Sequence, residues 1–337
     1  MTVAPPKPTL VAGRRAALAA ALALPALLAG RDAWAQGTES WPNRPLRMGV
    51  PFPPGGTTDL LARLMADGVG QRIGQTIVVE NRGGAGGAVG AEMAARMDPD
   101  GYNLFFATIG SAAITIHLLP RINWKPEDLV PVALFADVPN VIVVRPDSPW
   151  RNLQDMLRDA RAKPGDLTFA SSGTGSSLHL SGEMLKAMAG VDILHVPFRG
   201  GADTVNQILA GRVDMSFNNL PSAISLVRGG QLRALAVTSP ERAAALPEVP
   251  TVAESGIPGY AATAWFGLQV PRGTPQPVID RLNRELNATL NDPTTRSRIE
   301  NVGARPRGGS AAEFAAYIES ENKVWADIIR RSGAKAD

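Results

Sequence analysis

Short apolar runs alternate with amphipathic segments along nearly the whole chain, and that alternation restricts the fold more than any other feature. The runs occupy 46–50, 76–80, 103–107, 141–145, 167–171, 193–197, 213–217, 232–237 and 265–270, most of them bounded by Gly, Pro, Asn or Asp. Between them, "TDLLARLMADGVGQRI", "NLQDMLRDARA", "SLHLSGEMLKAMAG" and "DTVNQILAGR" repeat apolar residues three and four positions apart, as a helix covering a sheet must. Strands alternating with such helices predict an α/β fold built on mainly parallel sheets flanked by helices. Two more helical segments, 275–292 and 311–331, have no strand between them and are expected to close one lobe.

The chain is longer than one core usually holds, which predicts two lobes. The first exit from lobe 1 is expected near "ADVPNVIVV" (136–144), and the return through the Pro- and Gly-rich "LPEVPTVAESGIPGYAATAW" (246–265). The expected domains are 36–140 plus 262–337 for lobe 1 and 141–261 for lobe 2. Absence of cysteine from all 337 residues excludes disulfides and thiolate metal sites, so the core itself must hold the fold.

Residues 1–35 read as a signal peptide. Arg14 and Arg15 precede the Ala/Leu-rich run Ala16–Ala29, and "AWA" at 33–35 has the small-x-small form of a cleavage site. "GRRAAL" lacks the polar and aromatic neighbours of a twin-arginine signal, which favours ordinary secretion. Export to the periplasm and cleavage after Ala35 are expected. The net charge of +3 is accounted for by Lys7, Arg14, Arg15 and Arg31 against Asp32. The mature chain is therefore close to neutral, which argues against nucleic acid or an anionic membrane as a partner.

Three strand-to-helix junctions are rich in small residues: "PFPPGGTTD" (51–59), "ATIGSAA" (107–113) and "SSGTGSSLH" (171–179). A helix start offers unpaired N–H groups and about half a positive charge, and glycine admits a ligand close to the backbone. Serine and threonine hydroxyls add donors without adding charge, which suits a carboxylate. Ordinary turn and N-cap chemistry accounts equally well for any one of these loops. Three of them at the carboxyl edges of parallel strands are expected to converge on one cleft.

An aspartate beside an anion site needs a reason. With Gly56 as N-cap, Asp59 occupies the third helical position and can accept the N-cap amide as in a capping box. Arg82 is its candidate ion-pair partner, a solvated arginine being the alternative.

Enzymatic motifs are not supported. "ENRGGAGGAVG" (80–90) does not give G-x-G-x-x-G, and "GTGSSL" (173–178) lacks the third glycine. Neither a nucleophile elbow, nor H-E-x-x-H, nor a phosphate-binding G-x-x-x-x-G-K occurs. The histidines, His117, His179 and His195, have no metal-ligand spacing. No cofactor and no metal are expected. His179, one turn into its helix, is a candidate for ligand contact, whereas His195 alternates with apolar neighbours as a strand residue does. Trp265 and Phe266 fall where the chain re-enters lobe 1, and strand alternation points one toward the cleft and the other toward the core. Phe198 opens a further loop, from which Arg199 is placed to reach a ligand's far carboxylate, a surface role being the alternative.

"PFPPGGTTD", "VVENRGGAGG", "DGYNLFFAT", "SSGTGSSLHLSGEML", "HVPFRGGADTVNQILAGRVDMSFNN", "LRALAVTSPERAAALPEVPTVAESGIPGY" and "WFGLQVPRGTP" stand in the order and spacing found in Bug-type proteins. From 41 to 337 the chain resembles these solute receptors of tripartite tricarboxylate transporters. The resemblance implies a two-lobed Venus-flytrap periplasmic binding protein without catalytic activity, whose ligands are commonly small carboxylates: di- and tricarboxylates, amino acids, aromatic acids and nicotinate-like compounds. Carried over residue by residue, it implies a ligand carboxylate between Phe52, Gly55, Gly56, Thr57 and Thr58 in lobe 1 and Ser172, Gly173, Thr174, Gly175 and Ser176 in lobe 2. Thr108, Ser111, His179, Phe198, Asn218 and Trp265 are expected to complete the pocket. Integral-membrane transporter subunits, or a sensor kinase, are the implied transient partners of a monomer.

Two departures qualify the match. Gly83 stands where relatives often have proline, and Asn218 where many have aspartate. A neutral residue at 218 favours a carboxylate without a cationic group over an α-amino acid. An alternative of another class is a secreted α/β hydrolase using Ser176 or Ser177 with His179, though the close spacing on one helix start and the missing acid count against it. The leader yields a direct prediction: intact-mass measurement on protein recovered from the periplasm of an expressing bacterium should give a chain beginning at Gln36.

Overall fold

In chain order the strands are β1 (Leu46–Val50), β2 (Ile77–Asn81), β3 (Asn103–Thr108), β4 (Leu129–Val144), β5 (Thr168–Ser171), β6 (Leu194–Pro197), β7 (Met215–Asn219), β8 (Arg233–Val237), β9 (Thr263–Pro271) and β10 (Arg305–Pro306). The helices are α1 (Thr57–Ile73), α2 (Ala88–Ala95), α3 (Thr115–Leu118), α4 (Leu153–Ala162), α5 (Ser177–Ala189), α6 (Gly201–Leu209), α7 (Leu220–Arg228), α8 (Gln276–Asn291), α9 (Pro293–Asn301) and α10 (Ala311–Ser332). This is a computed structural model, and it describes residues 1–4 and 41–336. The expected signal peptide lies almost wholly outside the described residues. A compact unit begins at Arg44.

β4 takes part in both halves of the sheet. Over Leu129–Pro139 it pairs antiparallel with β9, which in turn pairs with β3 of the parallel set β2-β1-β3. From Asn140 to Val144 it pairs with β7 and β8, and β7 leads into the parallel set β7-β5-β6. The pairing thus changes hands between Pro139 and Asn140. Sequence periodicity placed this strand only at 141–145; its first part is obscured by two prolines. Both stand where a missing N–H does least harm. Pro131 borders a register shift against β9, and Pro139 is the last residue paired to it.

Helix boundaries follow local chemistry. α1 runs from an extended Gly56 to Gly74, whose left-handed φ of 73° lets its amide reach the Gly70 carbonyl. α4 starts where Asn152 accepts the Asp155 amide, and α5 where Ser176 accepts the His179 amide at 3.3 Å. The chain between 275 and 331 is less simple than expected: α9 and the short β10 intervene between α8 and α10. The segment 80–90 also does more than turn, since it ends in α2.

Each half has its own core. Val141, Val143, Ile208, Leu220, Ile224 and Val237 pack together in one half. In the other, Phe106 stacks on Phe266 at 5.9 Å and meets Phe135 edge-on. Gly182 of α5 lies flat on the Phe169 ring, and a methyl group added there would overlap it. Gly182→Ala should therefore lower stability by about 1–3 kcal/mol, measured by denaturant unfolding against the wild type.

Candidate ligand-binding site

The loops leaving the carboxyl ends of β1, β3, β5, β6 and β7 meet at one point between the two halves. Gly56, Thr57 and Thr58 bring the start of α1; Ser176 and Ser177 bring α5; Gly201 brings α6; Asn219 is the N-cap of α7. With Phe52, Pro53, Thr108, Ile109, Gly110, Ser172, Ala264 and Phe266 they enclose a cavity of about 20 Å³, room for about one water. Four helix N-termini face it, and no charged side chain lines it. The site is electropositive through backbone dipoles alone. Among the described residues, the hydroxyls of Thr58, Ser172 and Ser177 on this wall have no hydrogen-bond partner in the protein.

Phe52, Pro53 and Ser172 are shared with a wider recess of about 460 Å³ that Gly83, Gly84, Ala85, Gly86, Gly173, Phe198 and Arg199 complete. The cavity is thus a narrow inner end with an outer chamber beside it. Around it the two halves touch along a seam of backbone. Gly86, at φ 63°, lies so close to Thr174 and Gly175 that a Cβ would collide with their main chain. Gly56 faces Gly201 across the same seam, a Cβ on it falling 3.6 Å from the Gly201 nitrogen. The Thr57 amide and hydroxyl both reach Ser222 Oγ of α7, at 3.0 and 2.6 Å.

Asp59 stays out of the cavity. Its Oδ2 accepts the amide of Gly55, one residue before the expected N-cap position, at 3.1 Å, and Oδ1 accepts from Asn81 Nδ2 at 3.1 Å. Its ion-pair partner is Arg63, one turn along α1, at 2.9 Å and not Arg82, which is exposed. An i, i+4 spacing on one helix supplies the cation more readily than a residue beyond β2. Burial alone would raise the Asp59 carboxyl, but Arg63, the Gly55 amide and Asn81 outweigh it and hold it below the usual carboxylate range. Asn81 Nδ2 also donates to the Phe52 carbonyl at 2.9 Å. The aspartate therefore shapes the loop that carries Phe52 and Gly56.

Phe52, Gly56, Thr57, Thr58, Thr108, Ser172 and Ser176 line the inner cavity, and Gly173 and Phe198 line the outer chamber. Other expected residues serve elsewhere. Ser111 is tied to Thr108, whose amide it accepts at 3.0 Å. Thr174 and Gly175 form the seam, and Gly55 is held by Asp59. His179 is buried, its Nδ1 accepting the Gly175 amide at 3.3 Å and its ring stacked 4.2 Å from His195. His195 Nε2 lies 2.6 Å from Ser171 Oγ, which accepts the Gly173 amide at 3.2 Å. Burial, and less strongly Lys186, takes His195 down to about 4, so the ring under the loop is neutral at pH 7.

Two expectations are off by one residue. Asn218 points into its own lobe, accepting from Thr204 Oγ1 at 2.6 Å and donating to Ser216 Oγ at 2.5 Å, while Asn219 reaches the cavity. The argument from a neutral residue at 218 therefore loses its footing. Trp265 is fully buried against Phe314 and donates to Glu321 Oε2 at 3.2 Å, while Phe266 faces the cavity. An indole N–H needs an acceptor, and α10 supplies one only on that face. The signal for Asn219 was present, since an asparagine followed by Leu-Pro is a favoured helix entry.

Residues 61–334 match the family described as tripartite tricarboxylate transporter family receptor. BugT of Bordetella pertussis is 37% identical over 299 residues, which are 88% of this chain and 92% of that protein. An R. palustris protein solved with adipate is 36% identical with a TM-score of 0.86, over 88% of this chain and 100% of that one. MatC from Rhodopseudomonas palustris, solved with bound malate, is 31% identical with a TM-score of 0.82, over 86% and 100%.

The Asp59 network has a pH signature. A carboxylate held below its unfolded value of about 3.9 contributes stability above that pH and loses it as pH falls through the lowered folded value. Asp59→Asn should cost about 1–3 kcal/mol near pH 7, a difference that shrinks below about pH 4 in paired thermal unfolding curves.

Proposed function

The chain belongs to the family of tripartite tricarboxylate transporter receptors, solute receptors and not enzymes, and from that premise we propose that it captures a small di- or tricarboxylate or aromatic acid in the interlobe cleft. The observation that carries this reading is the wall of the inner cavity: four helix starts, three unpartnered hydroxyls and no charged side chain. Such a wall replaces the water around a carboxylate with fixed donors, and a low-polarity surrounding strengthens each bond. It offers no carboxylate to an ammonium group, which disfavours α-amino acids.

The change of β4 pairing between Pro139 and Asn140 supports lobes of 36–140 with 262–337 and of 141–261. The two strands joining them, β4 and β9, run paired to the crossing, where Pro139 lies opposite Thr263. We take this pair as the hinge. An inner cavity with room for about one water corresponds to lobes drawn together, so a ligand enters when they part. Export to the periplasm and delivery to membrane subunits of a transporter complete the proposal.

Thermal-shift screening with adipate, malate, citrate, benzoate, nicotinate, aspartate and glutamate tests the ligand class. A true ligand at a hundred times its dissociation constant should add about 2.7 kcal/mol. A response to the two amino acids alone would sink this reading.

A further inference from the structure

We propose that Ser222 is a positioning residue that clasps the lobes together and decides which donors are left for the ligand, an inference that rests on the interlobe binding site proposed above. Thr57 is the first residue of α1, where an amide has no carbonyl within the helix to bond to. Its N–H and hydroxyl both meet Ser222 Oγ, at 3.0 and 2.6 Å, from a position 165 residues along the chain in the other lobe. The first donor position of α1 is therefore satisfied by protein and not by ligand.

A hydroxyl in that place has a particular consequence. A carboxylate side chain would cancel the helix start, whereas a neutral acceptor occupies one amide and leaves the partial charge for the cavity. The ligand then meets Thr58 beside Thr57, and Ser172 and Ser177 from the opposite lobe. The clasp is also built with clearance. Gly201 lies next to it, and a Cβ at that position would approach Ser222 Oγ to 3.2 Å, tight enough to disturb the bond. Because the two partners belong to different lobes, the bonds exist only when the lobes are together. Closure is thus rewarded at Thr57 whatever the ligand's tail.

The chain lacks cysteine, so a Thr57→Cys/Ser222→Cys variant carries the sole thiol pair. Mild oxidation should cross-link it, and adipate or malate, whichever binds the reduced variant by calorimetry, should speed cross-linking about fivefold or more. Ser222→Ala should raise the dissociation rate of the same acid about tenfold with little change in association, followed by tryptophan fluorescence in stopped flow. The clasp is overturned if no cross-link forms, if a bound acid leaves its rate unchanged, or if Ser222→Ala releases the acid at the wild-type rate. A chain that cross-links but binds none of the screened carboxylates keeps the clasp and loses the proposed ligand class. One that binds adipate without cross-linking does the reverse.

Discussion

An α-helix begins with amides that its own carbonyls cannot satisfy, and this protein gathers four such beginnings at one point. Everything about the cleft follows from that debt. The parallel strands must end there, because a strand leading into a helix puts the helix start at its carboxyl edge. The loops must be glycine-rich, because side chains would keep a ligand away from the amides. Charged residues can be absent from the inner cavity, because backbone dipoles supply the field. Asp59 is held by Arg63, Asn81 and the Gly55 amide and does not line the cavity, so the loop keeps its shape without losing its polarity.

The second constraint is the single strand that serves both sheets. β4 gives its first eleven residues to one set of partners and its last five to another. The cleft sits beside the exchange, with Ala264 and Phe266 of the neighbouring β9 in its wall. The same short stretch thereby connects the halves and forms part of the wall. Trp265, between those two residues, faces the other way and is secured to α10 through Glu321, so the wall has a rigid backing.

Much of this was legible in the sequence, and the misses share a cause. Alternating apolar runs and helical patterns gave the fold class, and residues from each of the three glycine loops line the candidate cavity. Periodicity locates an element but does not fix which neighbour faces which side: Asn219 and Phe266 line the cavity where Asn218 and Trp265 were expected. The early part of β4 was hidden by Pro131 and Pro139, which a pattern reads as breaks and the sheet uses at its irregularities. The partner of Asp59 depended on α1 presenting Arg63 one turn away, a choice between cations that spacing alone left open. Ser222 carries no local signal at all, since its role arises only when distant segments meet.

The glycines of the seam have one more consequence. Gly86 against Gly175, and Gly56 against Gly201, bring main chain to main chain where the two halves join. A side chain at Gly86 would strike the main chain of Thr174 and Gly175 and act as a doorstop, whereas a Cβ at Gly56 would find ordinary contact distance. If the halves part and close on the proposed hinge, the fault would be found in how often the cleft shuts and not in what it recognises. At Gly86 the residue matters for the space it declines to fill.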